Sequence, residues 1–503
     1  MNLLMLLLLF FVPEPGTELP PSDRPNILFL IADDWSFPHA GVYGDPVART
    51  PTFDRLAAEG ALFFNAYTSS PSCSPARASV LTGRYPHQNE DGGNLWPEWP
   101  AQYPTYVGIL EQEGYFTGST RKGWGPGEFE VSGLDHNPAG KSYADFETFY
   151  RNRPKDMPFT FWFGSADPHR DYVPNTGIQT GMRLDDVALP GFFPDLDCVR
   201  NDILDYYFEV ERFDRECGQI LRFLEAAGEL DNTIIVMTSD NGMPFPRAKA
   251  NLYDLGTRMP LAIRWPERIK PGTLVHSFVN FIDFAPSFLE AGGLKAENMS
   301  GESIWDVVEG KKEVKAEVFL ERERHANVRK GDLSYPMRAV RTHDFLYIRN
   351  LMPERYPAGD PSVHQSVGQF GDVDNSITKF LIMALEGKAE EGKPDYFELA
   401  FGLRPEEELY AIKEDPFQLY NLAAKPEYAT VKNELRKKLD AWMQETGDLR
   451  ATDPRSLYWD QIRYTPNYQM KDVDFMEYIR NYRIKPPIGR FSNDGIPCLE
   501  VSH

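Results

Sequence analysis

Three short segments of this 503-residue chain gather residue types that do chemistry. Asp33-Asp34 follows directly on the apolar run Asn26–Ala32 (NILFLIA). Adjacent carboxylates at the exit of a buried strand repel each other and lose hydration, so a hard, oxygen-binding cation is their natural partner. Asp240-Asn241-Gly242 repeats the arrangement just after a second apolar run, residues 233–238 (TIIVMT), with a glycine for the tight turn. No Cys/His cage accompanies these oxygens, so they suit Ca2+ or Mg2+ better than zinc. The third segment, residues 72–83 (SCSPARASVLTG), reads as a short helix with Pro75 in its first turn and Gly83 past its end. Cys73 then stands at a helix N-terminus, which favours an anion and lowers a thiol pKa, with Arg77 one turn on. Singly, each segment is weak evidence, because Asp pairs and Asp-Asn-Gly are more often plain turns.

The elements around these segments give them a common setting. Four apolar runs read as buried, parallel-type strands: Asn26–Ala32, Phe159–Gly164, 233–238 and 261–265. Helical patterns separate them, at 52–59 behind Pro51 and at 201–227, where Ile203, Tyr206, Val210, Phe213, Ile220 and Leu224 recur at helical spacing. Alternating strands and helices predict an α/β sheet covered on both faces, and such a sheet presents functional residues at its strand carboxyl ends. Beyond about residue 335 the pattern changes. Residues 337–341 and 345–349 pair around Thr342-His343-Asp344, and a Pro-, Glu- and Gly-rich stretch runs to about 408. Glu408–Tyr410, a turn at Asp415-Pro416 and an amphipathic helix at 427–445 follow. The expected organisation is a leader at 1–21, a catalytic domain at 22–335, and a smaller α+β domain with its tail at 336–503. The tail beyond Arg450 should be ordered only by wrapping the main domain.

Composition narrows the partners. Lys and Arg number 53 against 75 Asp and Glu, a net charge of −22 that repels nucleic acid and anionic membrane. Residues 3–12 form an apolar run of signal-peptide length, too short to cross a bilayer, and Pro13, Pro15 and Pro20 break it off. That predicts export, to the periplasm or outside the cell, with no membrane span; oligomeric state is open. The cysteines are spaced too widely for a zinc site, and a bridge among Cys198, Cys217 and Cys498 is open. Cys217, within a helical pattern, reads as a buried apolar residue.

Cys73-Ser74-Pro75-Ala76-Arg77 followed by Leu81-Thr82-Gly83-Arg84 resembles the signature of type I sulfatases, in which the cysteine is oxidised to formylglycine. Arg24-Pro25-Asn26 leading to Ala32-Asp33-Asp34, the segment 50–56 (TPTFDRL), Gly83–Gln88 (GRYPHQ) and Ser239–Gly242 (SDNG) are similar to that family too, and in the family's order. A narrower resemblance is to the N-sulfoglucosamine sulfohydrolase (heparan N-sulfatase) subfamily. It rests on residues 239–246 (SDNGMPFP), Asn251-Leu252-Tyr253, 334–338 (SYPMR), Asp167-Pro168-His169-Arg170, and Asp415-Pro416 with Asn421-Leu422-Ala423.

The resemblance implies an alkaline-phosphatase-like fold: a large mixed-sheet α/β domain and a smaller C-terminal α+β domain. It implies that Asp33, Asp34, Asp240 and Asn241 hold one Ca2+ together with the modified Cys73, the formylglycine being installed by a formylglycine-generating enzyme. Arg77 would hold the hydrated aldehyde, Lys122 and Lys249 would bind sulfate oxygens, and His169 would protonate the leaving group. The implied substrate is a sulfated saccharide, a glycosaminoglycan N- or O-sulfate first and an algal or marine polysaccharide second. Two rivals are a phosphatase or phosphonate ester hydrolase of the same superfamily and a binder of sulfated glycans without turnover. Two positions depart from the family pattern: Trp124 stands where a histidine is usual after Lys122, and Ala166 replaces the first histidine of the His169 loop. Arg322, Arg324 and His325, after a probable strand, are candidates to bind a substrate anion, with ion pairs to Glu321 and Glu323 as the competing role.

Overall fold

The run NILFLIA forms strand β1 (Asn26–Ala32), buried at every position. Its side chains alternate between two cores: Leu28, Leu30 and Ala32 join one apolar cluster, and Ile27, Phe29 and Ile31 the other. An unbroken apolar strand is what a sheet covered on both faces requires. The computed structural model, which describes residues 24–312, 315–362 and 368–460, sets β1 within a mixed sheet of seven strands. The others are β2 (Ala61–Tyr67), β3 (Phe116–Arg121), β4 (Phe159–Gly164), β5 (Thr233–Ser239), β6 (Arg258–Arg264) and β7 (Thr273–Asn280), in spatial order β3-β4-β1-β5-β6-β2-β7. The long helix Asp197–Ala227 covers one face through Ile203, Tyr206, Val210 and Phe213. Phe284–Ala291 covers the other.

Strands β3, β4, β1 and β5 are mutually parallel, so their carboxyl ends share one edge. The register pairs Ala32 with Ser239, which sets Asp33 beside Asp240. β6 corrects one expectation. Read as parallel from its apolar run, it is antiparallel to both β5 and β2, because burial on both faces selects the same residues whichever way a strand runs.

The second sheet has four antiparallel strands, β8 (Glu317–Arg322), β9 (Met337–Thr342), β10 (Phe345–Asn350) and β11 (Glu407–Ala411), in order β11-β10-β9-β8. Its first strand therefore lies upstream of residue 335. One face packs Leu320, Met337, Ala339 and Ile348 onto Tyr67, Tyr253 and Phe278. The other sets Val340, Tyr347 and Leu409 against Leu435, Leu439 and Trp442 of helix Ala429–Glu445. At the start of the tail, Trp459 lies under the Arg450 guanidinium at 5.0 Å, and Asp460 pairs with Arg355 at 2.9 Å. The expected leader, Cys498 and the rest of the tail lie outside the described residues. Cys217 is a free, buried thiol, so it takes no part in a bridge. Among the described residues no helix is long and apolar enough to cross a membrane.

Candidate active site

The shared edge of the four parallel strands carries the polar residues. β1 delivers Asp33 and Asp34, β5 delivers Asp240 and Asn241, β3 delivers Lys122, and the loop after β4 delivers His169. Lys249 comes from the segment between β5 and β6. Two glycines allow the close packing: a Cβ on Gly164 would strike the Lys122 carbonyl, and one on Gly242 the Leu255 carbonyl. Helix Cys73–Thr82 is buried along its length and ends on Gly83 in the left-handed region (φ 65°). Its first residue sets the Cys73 thiol 3.5 Å from Asp33 Oδ1.

Every carboxylate here meets a cation. Lys122 Nζ lies 2.6 Å from Asp33 Oδ2, and Lys249 Nζ lies 2.7 Å from Asp34 Oδ2. Arg77 Nε donates to Asp240 Oδ2 at 2.8 Å, and Nη1 donates to the Lys122 and Gly123 carbonyls. His169 Nδ1 donates to the Arg170 carbonyl at 2.6 Å, so its Nε2 faces the site, 3.8 Å from Asp34 Oδ2. Asp34 adopts a positive φ of 79°, a strained conformation that costs a non-glycine residue about 1–3 kcal/mol.

Electrostatics separates the three aspartates. Burial would raise Asp33, but Lys122, His169, Arg77 and Lys249 outweigh it and hold that carboxyl well below the usual range. Burial prevails at the other two: it raises Asp34 against Lys249 and His169, and pushes Asp240 up to about 6 against Arg77. Burial also pushes the Cys73 thiol up. This corrects the expectation of a lowered thiol pKa, since desolvation at a fully enclosed site exceeds the helix dipole.

The donor set fits a hard cation. Oxygens of Asp33 and Asp34 and the Cys73 sulfur lie within 4.8 Å of one another. The Asn241 side-chain carbonyl is buried with no hydrogen-bond donor, while its amide nitrogen donates to Asp34 Oδ1 at 2.5 Å. An unsatisfied buried carbonyl oxygen beside three carboxylates is a ligand set for Ca2+ or Mg2+.

The remaining candidates divide. His325 Nδ1 lies 2.8 Å from Ser72 Oγ, next to Cys73, and burial pushes its ring down to about 3, so it is neutral. Arg322 is enclosed: it pairs with Asp372 and donates to the Ala250 and Pro357 carbonyls. Arg324 is buried and donates to the Asp332 carbonyl at 2.7 Å. Glu321 and Glu323 pair instead with Arg338, and Glu323 also with Arg450. Sequence reasoning missed Asp374, whose Oδ2 lies 3.1 Å from Lys249 Nζ. Its signal is the oxygen-rich run Gly371-Asp372-Val373-Asp374-Asn375, but no strand precedes it and it lies in the Pro-, Glu- and Gly-rich stretch.

With this geometry in hand, comparison with known proteins is decisive. Residues 25–294 match the Sulfatase family model, and residues 247–354 match the model "N-sulphoglucosamine sulphohydrolase, C-terminal". The chain belongs to the sulfatase family. It is 31% identical over 480 residues to human N-sulphoglucosamine sulphohydrolase, covering 84% of this chain and 90% of that protein. It is 30% identical over 491 residues to an ulvan-active sulfatase of Formosa agariphila, covering 86% and 77%. A solved structure in complex with its substrate D-glucosamine-2-N,6-O-disulfate superposes with a TM-score of 0.61 at 21% identity, covering 88% of this chain and 100% of that one. The sulfatase is thus a hydrolase of sulfate esters or sulfamates with the alkaline-phosphatase-like fold. In this sulfatase Trp124 is a core residue, packed edge-on against Trp99 at 4.9 Å, and Ala166 is exposed.

Proposed function

We propose that this sulfatase removes sulfate from a saccharide, with Cys73 converted to formylglycine and Ca2+ held by Asp33, Asp34, Asp240, Asn241 and the modified Cys73. The observation that carries the reading is the convergence, on one sheet edge, of Cys73, three buried aspartates, the unsatisfied Asn241 carbonyl and the cations Arg77, Lys122 and Lys249. Formylglycine at Cys73 would supply a nucleophilic hydroxyl, and a cation held by Asp33, Asp34, Asp240 and Asn241 would neutralise charge on the transferring group.

The protein's own groups do the rest. Arg77, locked by Asp240 and two carbonyls, holds the modified side chain in place. Lys122 and Lys249 are pre-set at the site by Asp33 and Asp34 and bind the sulfate oxygens. Each such contact stabilises the transition state by about 3 kcal/mol. His169, its ring fixed by the bond from Nδ1, carries on Nε2 the proton that the leaving oxygen or nitrogen takes up. Fixed positive charge also resolves the conflict between an anionic substrate and a net charge of −22.

The relatives set the substrate panel: N- and O-sulfated glucosamine saccharides first, ulvan oligosaccharides second. The deciding experiment is mass spectrometry of the Cys73 peptide from protein co-expressed with a formylglycine-generating enzyme, followed by that panel. Aldehyde at Cys73 with release of sulfate is expected. An unmodified thiol despite a competent maturing enzyme, or aldehyde with no sulfate released, sinks the reading.

A further inference from the structure

A carboxylate stands at the exposed edge of the cluster that carries Lys249 and His169. Asp374 Oδ2 lies 3.1 Å from Lys249 Nζ, and Asp374 offers an oxygen within 4.8 Å of both an Asp34 oxygen and a His169 ring nitrogen. The side chain of Asp374 is 27% exposed and that of Lys249 only 3%. His169 is 34% exposed and Asp34 fully enclosed. Asp374 and His169 therefore form the open rim, above a floor of Asp34 and Lys249.

The segment that carries Asp374 is fixed from both sides. Upstream, Asp372 pairs with Arg322 and with Arg329 at 2.6 Å, and accepts from the Ala326 amide at 2.9 Å. Downstream, the buried Lys379 donates to the Val373 carbonyl at 2.7 Å and to Asn375 Oδ1 at 3.0 Å. Thr378 then donates to Asp202 at 2.6 Å, which also holds Arg170, the neighbour of His169. Asp374 thus keeps a set position relative to Lys249 and His169. A carboxylate beside a sulfate repels it, a cost offset when the substrate brings a hydrogen-bond donor to that point.

We infer that Asp374 is a specificity-determining residue: its carboxylate accepts a hydrogen bond from the hydroxyl or amine vicinal to the scissile sulfate, and its charge excludes sugars sulfated there. The inference rests on the saccharide-sulfatase reading above. With Lys249 on the sulfate and His169 at the bridging atom, Asp374, its Oδ2 buried against Lys249, turns its other carboxylate oxygen to the adjacent ring position.

The test compares kcat/KM of wild type, Asp374→Ala and Asp374→Asn, each with its aldehyde content measured. The probes are the monosulfated sugar turned over best in the panel above, its deoxy analogue lacking the vicinal hydroxyl, its vicinally disulfated analogue, and 4-nitrophenyl sulfate. Wild type is expected to prefer the hydroxyl-bearing sugar over the deoxy analogue by about ten- to hundred-fold, the range for a hydrogen bond to a charged group. In Asp374→Ala that preference falls to near unity. In Asp374→Asn, which keeps an acceptor without the charge, the disulfated analogue gains relative to wild type, and this arm decides should the alanine variant not fold. Equal losses on all probes would assign Asp374 to orienting Lys249 alone and overturn the inference, as would an unchanged preference. Failure of the underlying reading shows separately, as wild type turning over no sulfated sugar.

Discussion

Two buried charged clusters in this sulfatase look alike in composition and differ in closure. The first is the proposed active-site group of Asp33, Asp34, Asp240, Arg77, Lys122 and Lys249. The second joins His87, Glu321, Glu323, Asp448, Arg338 and Arg450 where the segment after the Cys73 helix meets the small sheet. In the second, Arg338 lies between the acids, 2.6 Å from Asp448, 2.7 Å from Glu323 and 3.2 Å from Glu321. Arg450 closes on Glu323 at 2.7 Å and His87 on Glu321 at 2.8 Å. His87, Glu321 and Asp448 are near enough for a metal, but the Arg338 guanidinium already pairs with both acids. The active-site group is left open: Asn241 Oδ1 and Arg77 Nη2 have no hydrogen-bond partner, Asp34 is strained, and Lys122, His169 and Asp374 reach the surface. Charge alone thus fails to mark a functional site. Unsatisfied atoms, strain and partial exposure set the proposed site apart from the closed cluster.

The contrast breaks most sharply under substitution. Cys73→Ala should lower turnover of the best sulfated sugar by at least about 10⁴-fold, as expected when a nucleophile is removed. Its unfolding midpoint should stay close to wild type; residual turnover near wild type would remove Cys73 from the chemistry. Arg338→Ala should do the opposite, stripping the counter-charge from buried Asp448 and Glu321 and lowering unfolding free energy by about 3–5 kcal/mol in denaturant titration. A loss under about 1 kcal/mol would mean that the closed cluster contributes little. Calcium sharpens the same contrast. At about a hundred-fold its Kd, Ca2+ should add about 2.7 kcal/mol to stability, visible as a raised unfolding temperature that EGTA reverses. Asp240→Asn should lose that increment and Arg338→Ala should keep it; retention in Asp240→Asn would place the ion elsewhere.

What sequence reveals here follows from how locally each feature is determined. β1 and β5 are legible because burial on both faces keeps their central residues apolar, and Asp33 and Asp240 are legible as the first charges past them. The Cys73 helix is legible from Pro75 and Gly83. The antiparallel sense of β6 is not, because both directions bury the same side chains. β3 (FTGSTR) hides behind a glycine and small polar residues. Asp374 is invisible for another reason: it meets Lys249, 125 positions away, only in the folded chain. Trp124 shows the converse, a departure from the family pattern that ends in the core against Trp99.

The smallest expected effect concerns pH and the closed cluster. Burial would lower His87, but Glu321 at 2.8 Å, with Asp448 behind it, outweighs burial and the Arg338 charge and raises the ring above its ordinary 6.5. The Thr446 carbonyl, 3.3 Å from Nε2, accepts the second ring proton. A group bound more tightly to its proton in the folded state stabilises that state fully below the unfolded pKa, and the gain fades as pH rises through the folded value. The stability advantage of wild type over His87→Gln should therefore be largest near pH 6 and shrink steadily into the alkaline range. Glutamine cannot titrate, so the difference reports His87 together with the acids paired to it. Unfolding free energies of both proteins across that range decide it. An advantage that grows with pH would mean that His87 is held neutral, with Arg338 supplying all the positive charge of the cluster.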